Sequence, residues 1–115
     1  MTIERLYRQF HDFAFESADE VYLPVGAAES AVDAADDYDV AILGIEIFRR
    51  TPTGLLPQPE IADFSNLHAD SWEAYRQRCN ELARQFLRPL TNLTVWVNFV
   101  FVEPQEWSDR ASSRK

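Results

Sequence analysis

The chain has one cysteine and three glycines in 115 residues. A single thiol cannot close an internal disulfide, which excludes a disulfide-stapled scaffold. Glycines at 26, 44 and 54 cannot build a phosphate-cradling loop, so nucleotide binding is not expected. Histidine is scarce as well. His11 and His68 have no second ligand at metal-site spacing, and CxxC, HxxxH and GxSxG patterns are missing. No cofactor or metal is therefore expected, and nucleophilic or zinc catalysis has no sequence support. No apolar run reaches ten residues, whereas a bilayer span needs about 20. Met1–Gln9 lacks the apolar segment of a signal peptide, so a cytoplasmic location is expected.

What is present suits one folded domain. Apolar residues make up 46% of the chain, and eight phenylalanines, four tyrosines and three tryptophans can fill a core. Residues 1–104 read as a single α+β (or α/β) domain. Residues 105–115 read as a polar, flexible tail, with Trp107 pinning its start.

Charge is unevenly divided. Met1–Glu46 holds eleven carboxylates and two arginines, a balance of −9, while Ile47–Lys115 carries +1. The acidity peaks in Glu29–Asp39, which has five acids and no base. Such a patch attracts cationic partners and repels nucleic acid and anionic membrane.

Hydrophobic spacing yields a coarse element order. Ile3, Leu6, Tyr7, Phe10, Phe13 and Ala14 predict an amphipathic helix capped by Thr2. Val21–Leu23 is a short extended piece, and Ala27–Asp36 a second helix. Val40–Phe48 and Thr94–Val102 are nearly continuous in apolar, β-branched and aromatic residues, which suits central strands. Thr51–Pro59, with Gly54 and three prolines, reads as a turn or loop. Ile61–Leu67 is a candidate return strand. Asp70 and Glu73 resemble a capping box opening a third helix. Its apolar stripe is Trp72, Tyr75, Cys79, Leu82, Ala83 and Phe86, and Pro89 ends it. The expectation is one sheet of three or four strands covered by about three helices.

Four groups of side chains bear on chemistry. Cys79 lies mid-stripe and reads as a small buried hydrophobe, not a reactive thiol. Arg76, Arg84 and Arg88 read as a solvated face, with Glu73 and Glu81 three residues ahead of the first two. Glu46 interrupts an apolar strand on the same face as Gly44 and Phe48. It is either a structural carboxylate satisfied by Arg49, Arg50 or exposure, or a functional one. Glu29, Asp33, Asp36, Asp37 and Asp39 crowd the second helix and its C-terminal end, where like charge and the helix dipole both oppose them. On sequence this cost looks uncompensated. Neutralising Glu29, Asp33, Asp36 and Asp37 is expected to stabilise the free protein, and the patch is either solvated or a docking face for a basic partner.

One segment carries a resemblance. Ala34–Phe48, with Ile42-Leu43-Gly44-Ile45-Glu46-Ile47-Phe48 at its end, resembles predicted immunity proteins of bacterial polymorphic-toxin and contact-dependent inhibition systems. Their strand pattern is I-L-G-G-[DE]-V-[YF], preceded by a short helix and followed by a helix and a last hydrophobic strand. Here Ile45 replaces the second glycine, and the tryptophan expected after the strand is missing. Gly44 and Glu46 align with the motif. The resemblance implies a protein that binds and blocks a cognate toxin domain by steric and electrostatic occlusion. The candidate partner-binding residues are Glu29, Asp33, Asp36, Asp37, Asp39 and Glu46, and the partner is a basic protein, not nucleic acid or membrane. The alternatives are a small non-catalytic adaptor or regulatory subunit, and a small enzyme using Glu46 as general acid or base.

Overall fold

The two runs read as central strands lie side by side. In the computed structural model, which describes residues 2–113 and side chains through residue 108, they pair antiparallel as β3 (Ala41–Thr51) and β5 (Trp96–Val102). The other strands are β1 (Phe15–Ser17), β2 (Glu20–Pro24) and β4 (Gly54–Asp63). The helices are α1 (Thr2–Arg8), α2 (Val25–Asp37), α3 (Trp72–Leu87) and α4 (Pro104–Ser113), with a 3-10 turn at Arg88–Leu90. The sheet order is β1-β2-β5-β3-β4 and every pairing is antiparallel. The fold is thus α+β, with five strands and four helices among the described residues instead of the three or four strands and three helices expected.

Each difference has a local cause. β1 and β2 join through Ala18 and Asp19, both at positive φ (51° and 66°). This is the geometry of a tight hairpin turn, usually marked by Asn-Gly, and Ala18-Asp19 carries no such signal. Within Thr51–Pro59 the turn is confined to residues 52 and 53, and β4 begins at Gly54. Gly54, at φ 152°, occupies backbone space that a side chain resists. Pro57 and Pro59 are tolerated because β4 is an edge strand with a neighbour on one side only. They leave a bulge: pairing passes from Glu46 opposite Ile61 to Phe48 opposite Pro57.

Helix ends shift similarly. α1 stops at Arg8 and continues as turns, and Thr2, the expected cap, is its first residue. Ser71, not Asp70, caps α3, accepting a hydrogen bond from the Ala74 amide at 3.1 Å. The segment read as a flexible tail forms α4 as far as Ser113, and residues 114 and 115 lie outside the described range. Trp107 holds it in place, its ring 5.9 Å from that of Tyr75 and 6.1 Å from that of Trp72.

Strand alternation, with a bulge between Ile42 and Gly44 that brings Ile42 into phase with Ile45 and Ile47, places the core on one side of the sheet. Ile42, Ile45 and Ile47 of β3 and Val97, Phe99 and Phe101 of β5 pack with Ala28, Ala31, Val32 and Ala35 of α2 and Ala83 and Leu87 of α3. Alanine on α2 lets that helix approach the sheet closely. Each fully buried isoleucine or valine contributes roughly 1.5–3 kcal/mol. A smaller cluster joins Ala41, Tyr75 and Cys79 to Trp72 and Trp107. Cys79 is fully buried, as its position in the stripe implied. Among the described residues no helix is long and apolar enough to cross a membrane.

Candidate functional site

The acidic helix and the arginines of α3 face each other. Asp36 Oδ1 accepts hydrogen bonds from Arg76 Nη1 and Asn80 Nδ2, each at 2.7 Å, and Arg84 Nη2 donates to Asp36 Oδ2. Arg84 also donates to Asp33 Oδ1 from Nη2 at 2.8 Å and from Nε at 3.2 Å. Asp39 Oδ1 accepts from the Trp72 indole at 2.7 Å. It also lies 3.1 Å from Arg76 Nε, an ion-pair distance at an angle that makes no hydrogen bond.

The expectation that the acidic cost is uncompensated is therefore corrected. The charge that compensates Asp33 and Asp36 comes from 40 to 51 residues further along the chain, beyond the reach of any local spacing rule. Arg76 is engaged with Asp36 and Asp39, and Arg84, besides its i,i+3 approach to Glu81 at 3.8 Å, with Asp33 and Asp36. Burial alone would raise the Asp36 carboxyl. Hydrogen bonds from Asn80 and Arg84 and the charges of Arg84 and Arg76 outweigh it, holding the carboxyl below its ordinary 3.8. Arg84 is correspondingly raised: its own desolvation opposes, and bonds and charge from Asp36 and Asp33 prevail.

Backbone geometry supports this arrangement. Asp39 adopts φ 59° just past the end of α2. The Val40 amide reaches Ala35 O and the Asp39 amide reaches Asp36 O, which is a Schellman closure with aspartate where glycine is usual. That closure turns the Asp39 side chain toward α3.

Asn80 is fully buried, a polar side chain that its sequence context does not single out. Its Nδ2 donates to Val40 O at 3.0 Å and its Oδ1 accepts from the Ile42 amide at 2.9 Å. The pairing of β4 with β3 ends at Gly44, so Asn80 serves as a backbone mimic for the strand start beyond it. A lone asparagine in a helix gives no signal for this role, except that it falls next to Cys79 on the buried side.

The opposite side of the sheet is built differently. Register puts Gly44, Glu46, Phe48 and Arg50 of β3 on one face with Trp96, Asn98 and Val100 of β5. Around Gly44 it is lined by residues of β3, β4 and β5 alone. At one end, aromatic rings tile it: Tyr22 meets Phe48 edge-on at 5.2 Å, and Phe15 meets Trp96 at 5.6 Å. The Arg50 guanidinium lies 4.1 Å from the Phe15 ring centre. Asn98 donates to Glu20 Oε2 and Val21 O, each at 3.1 Å, stitching β5 to β2. Burial and the charges of Glu20 and Glu46 raise the Tyr22 hydroxyl.

At the other end lies a shallow notch of about 210 Å³ over Gly44, edged by Glu46, Ile61, Asp63 and Val100. A Cβ on Gly44 would stand 3.3 Å from Ala62 O and 3.9 Å from Val100 Cβ, so glycine keeps the notch open and the strands close. Ile61 is 64% and Val100 43% exposed, both large apolar residues on an uncovered sheet. Glu46 stands exposed between them and forms no ion pair among the described residues.

The six residues singled out from sequence do not form one surface. Asp33, Asp36 and Asp39 bond to α3. Glu29 and Asp37 sit on α2 and form no ion pair among the described residues. Glu46 is on the far side of the sheet. Compared with models of known protein families, with characterised proteins and with solved structures, the chain matches none.

Proposed function

We propose that the protein is an immunity protein, which binds a cognate toxin domain through its uncovered sheet face and blocks it. The observation that carries this reading is the exposure of Ile61 and Val100 around Gly44 and Glu46. These apolar side chains, with a carboxylate among them, form the kind of patch that a protein partner desolvates. The strand that resembles the immunity-protein motif, Ile42–Phe48, presents its Gly44 and Glu46 on that face. Glu29 and Asp37 add negative field, and with Glu46 they favour encounter with a basic domain.

A direct test pairs this chain with the toxin domain encoded beside its gene. Co-expression should rescue growth, and Val100→Glu should abolish rescue while leaving the circular dichroism spectrum unchanged. Rescue by Val100→Glu equal to wild type would remove the sheet face from the reading. A stable complex in which the partner keeps its activity would point instead to a non-catalytic adaptor.

A further inference from the structure

The notch over Gly44 is a gap in the side-chain rows of its sheet face. Gly44 lies between Asp63 of β4 and Val100 of β5, and the next row holds Ile61, Glu46 and Asn98. Every other position in these two rows carries a side chain. The missing Cβ of Gly44 therefore leaves a walled space of about 210 Å³.

The walls are of two kinds. Ile61 and Val100 offer exposed apolar surface, which an aliphatic stem would cover. Glu46 and Asp63 are exposed carboxylates on a diagonal of the β3–β4 pair. Diagonal neighbours stand roughly 7–8 Å apart, so a cation between them reaches both. Asp63 Oδ1 accepts from the Ser65 amide at 2.9 Å, which orients that carboxylate without adding charge. Among the described residues that line the notch none is basic. A third acid, Glu20, is held nearby by Asn98.

Other occupants fit less well. A second copy of this chain would set the same carboxylates against each other. A neutral apolar side chain would desolvate Glu46 and Asp63 with no charge in exchange. A divalent ion would find two carboxylates and, among the described residues, no third protein ligand.

We propose that the notch seats one lysine or arginine side chain of a protein partner, its stem over Gly44 against Val100 and Ile61 and its cation between Glu46 and Asp63. That the partner is a toxin domain rests on the function proposed above; the seat itself is read from the sheet.

The probe is hexylammonium, an aliphatic stem ending in a cation, followed by amide shifts of the full chain at constant ionic strength. Saturable shifts are expected at Gly44, Ile45, Glu46, Ala62 and Val100. Hexanol lacks the charge and methylammonium lacks the stem, and both should bind more weakly. Glu46→Gln and Asp63→Asn should each weaken hexylammonium by about two- to fivefold, as for an exposed ion pair, and leave hexanol unaffected. Unchanged peak dispersion will show that each variant is folded. The seat is overturned by the absence of saturable shifts, by hexanol or methylammonium binding as tightly as hexylammonium, or by wild-type affinity in the double variant. In the co-expression assay the double variant should rescue growth less than wild type. Equal rescue by it, with Val100→Glu defective, would keep the face as the docking surface and remove the basic guest. Full rescue by Val100→Glu would sink the toxin reading of the face, and the hexylammonium titration would still decide the seat.

Discussion

Asn80 Nδ2 sits 2.7 Å from Asp36 Oδ1 while the same nitrogen reaches Val40 O at 3.0 Å. One side chain thus ties the acidic helix to the start of the central strand. Arg76 and Arg84 approach the same carboxylate from either side. The charge that looks excessive in the sequence is the polar clasp between α2 and α3.

Breaking the clasp should cost stability. Asp36→Asn keeps the shape but removes the charge that two arginines and one asparagine address. A loss of about 1–3 kcal/mol is expected, in line with hydrogen bonds to charged groups. Urea unfolding measures it. This reverses the expectation from sequence that neutralising the acids stabilises the free protein. A double-mutant cycle of Asp36→Asn with Asn80→Ala should show coupling, because the two share a bond.

Acid should weaken the protein through the same residue. The Asp36 carboxyl is held below its ordinary 3.8 in the folded chain. The unfolded chain therefore takes up the proton first as pH falls. The stabilisation is complete above pH 3.8 and disappears as pH drops through the lower folded value. Between pH 5 and pH 2, Asp36→Asn should show a flatter decline in unfolding free energy than wild type. Parallel curves would assign the acid limb to other carboxylates.

Alkali acts at Tyr7. Burial, aided by the charge of Glu20, raises its hydroxyl from 10.0 to about 12. The folded state resists ionisation that the unfolded state accepts. The contribution is full below pH 10.0 and is lost as pH rises toward about 12. Tyr7 also packs edge-on against Phe101 at 5.6 Å. Absorbance at the tyrosinate band should show a late-titrating group that vanishes in Tyr7→Phe, and that variant should lose less stability above pH 10.0.

Ala18 offers a gain. It sits at φ 51° in the β1–β2 turn, where a side chain costs roughly 1–2 kcal/mol that glycine avoids. The greater freedom of glycine in the unfolded chain offsets part of this, roughly 0.5–1 kcal/mol. Ala18→Gly should therefore raise stability by about 0.5–1 kcal/mol, read from the urea midpoint. A lower midpoint would mean that the turn is held open by other contacts.

Long apolar periodicity was legible without any structure. Val40–Phe48 and Thr94–Val102 announce strands because their β-branched and aromatic residues run nearly unbroken. The stripe through Tyr75 and Cys79 marks the inward face of α3 because it repeats at helical spacing, and Glu46 falls on the face of Gly44 and Phe48 because strand side chains alternate. The return strand expected at Ile61–Leu67 meets β4 only at its end, Ile61 to Asp63. The rest of β4 stayed hidden because its prolines read as loop, and only its place at the sheet edge makes them harmless. The Ala18-Asp19 turn stayed hidden because its residues are not those that positive φ favours.

The candidate site divides along the same line. Local sequence determined which residues are acidic, which strand carries Glu46 and which helix carries the arginines. It could not determine that Asp36 meets Arg76, Asn80 and Arg84, since these partners are 40 to 48 residues apart and come together only when α2 and α3 lie side by side on the sheet. Nor could it place Glu46 and the acidic helix on opposite sides of that sheet. Spacing rules reach about one helical turn, whereas charge pairing and exposure depend on which faces pack, and packing is decided by the whole chain.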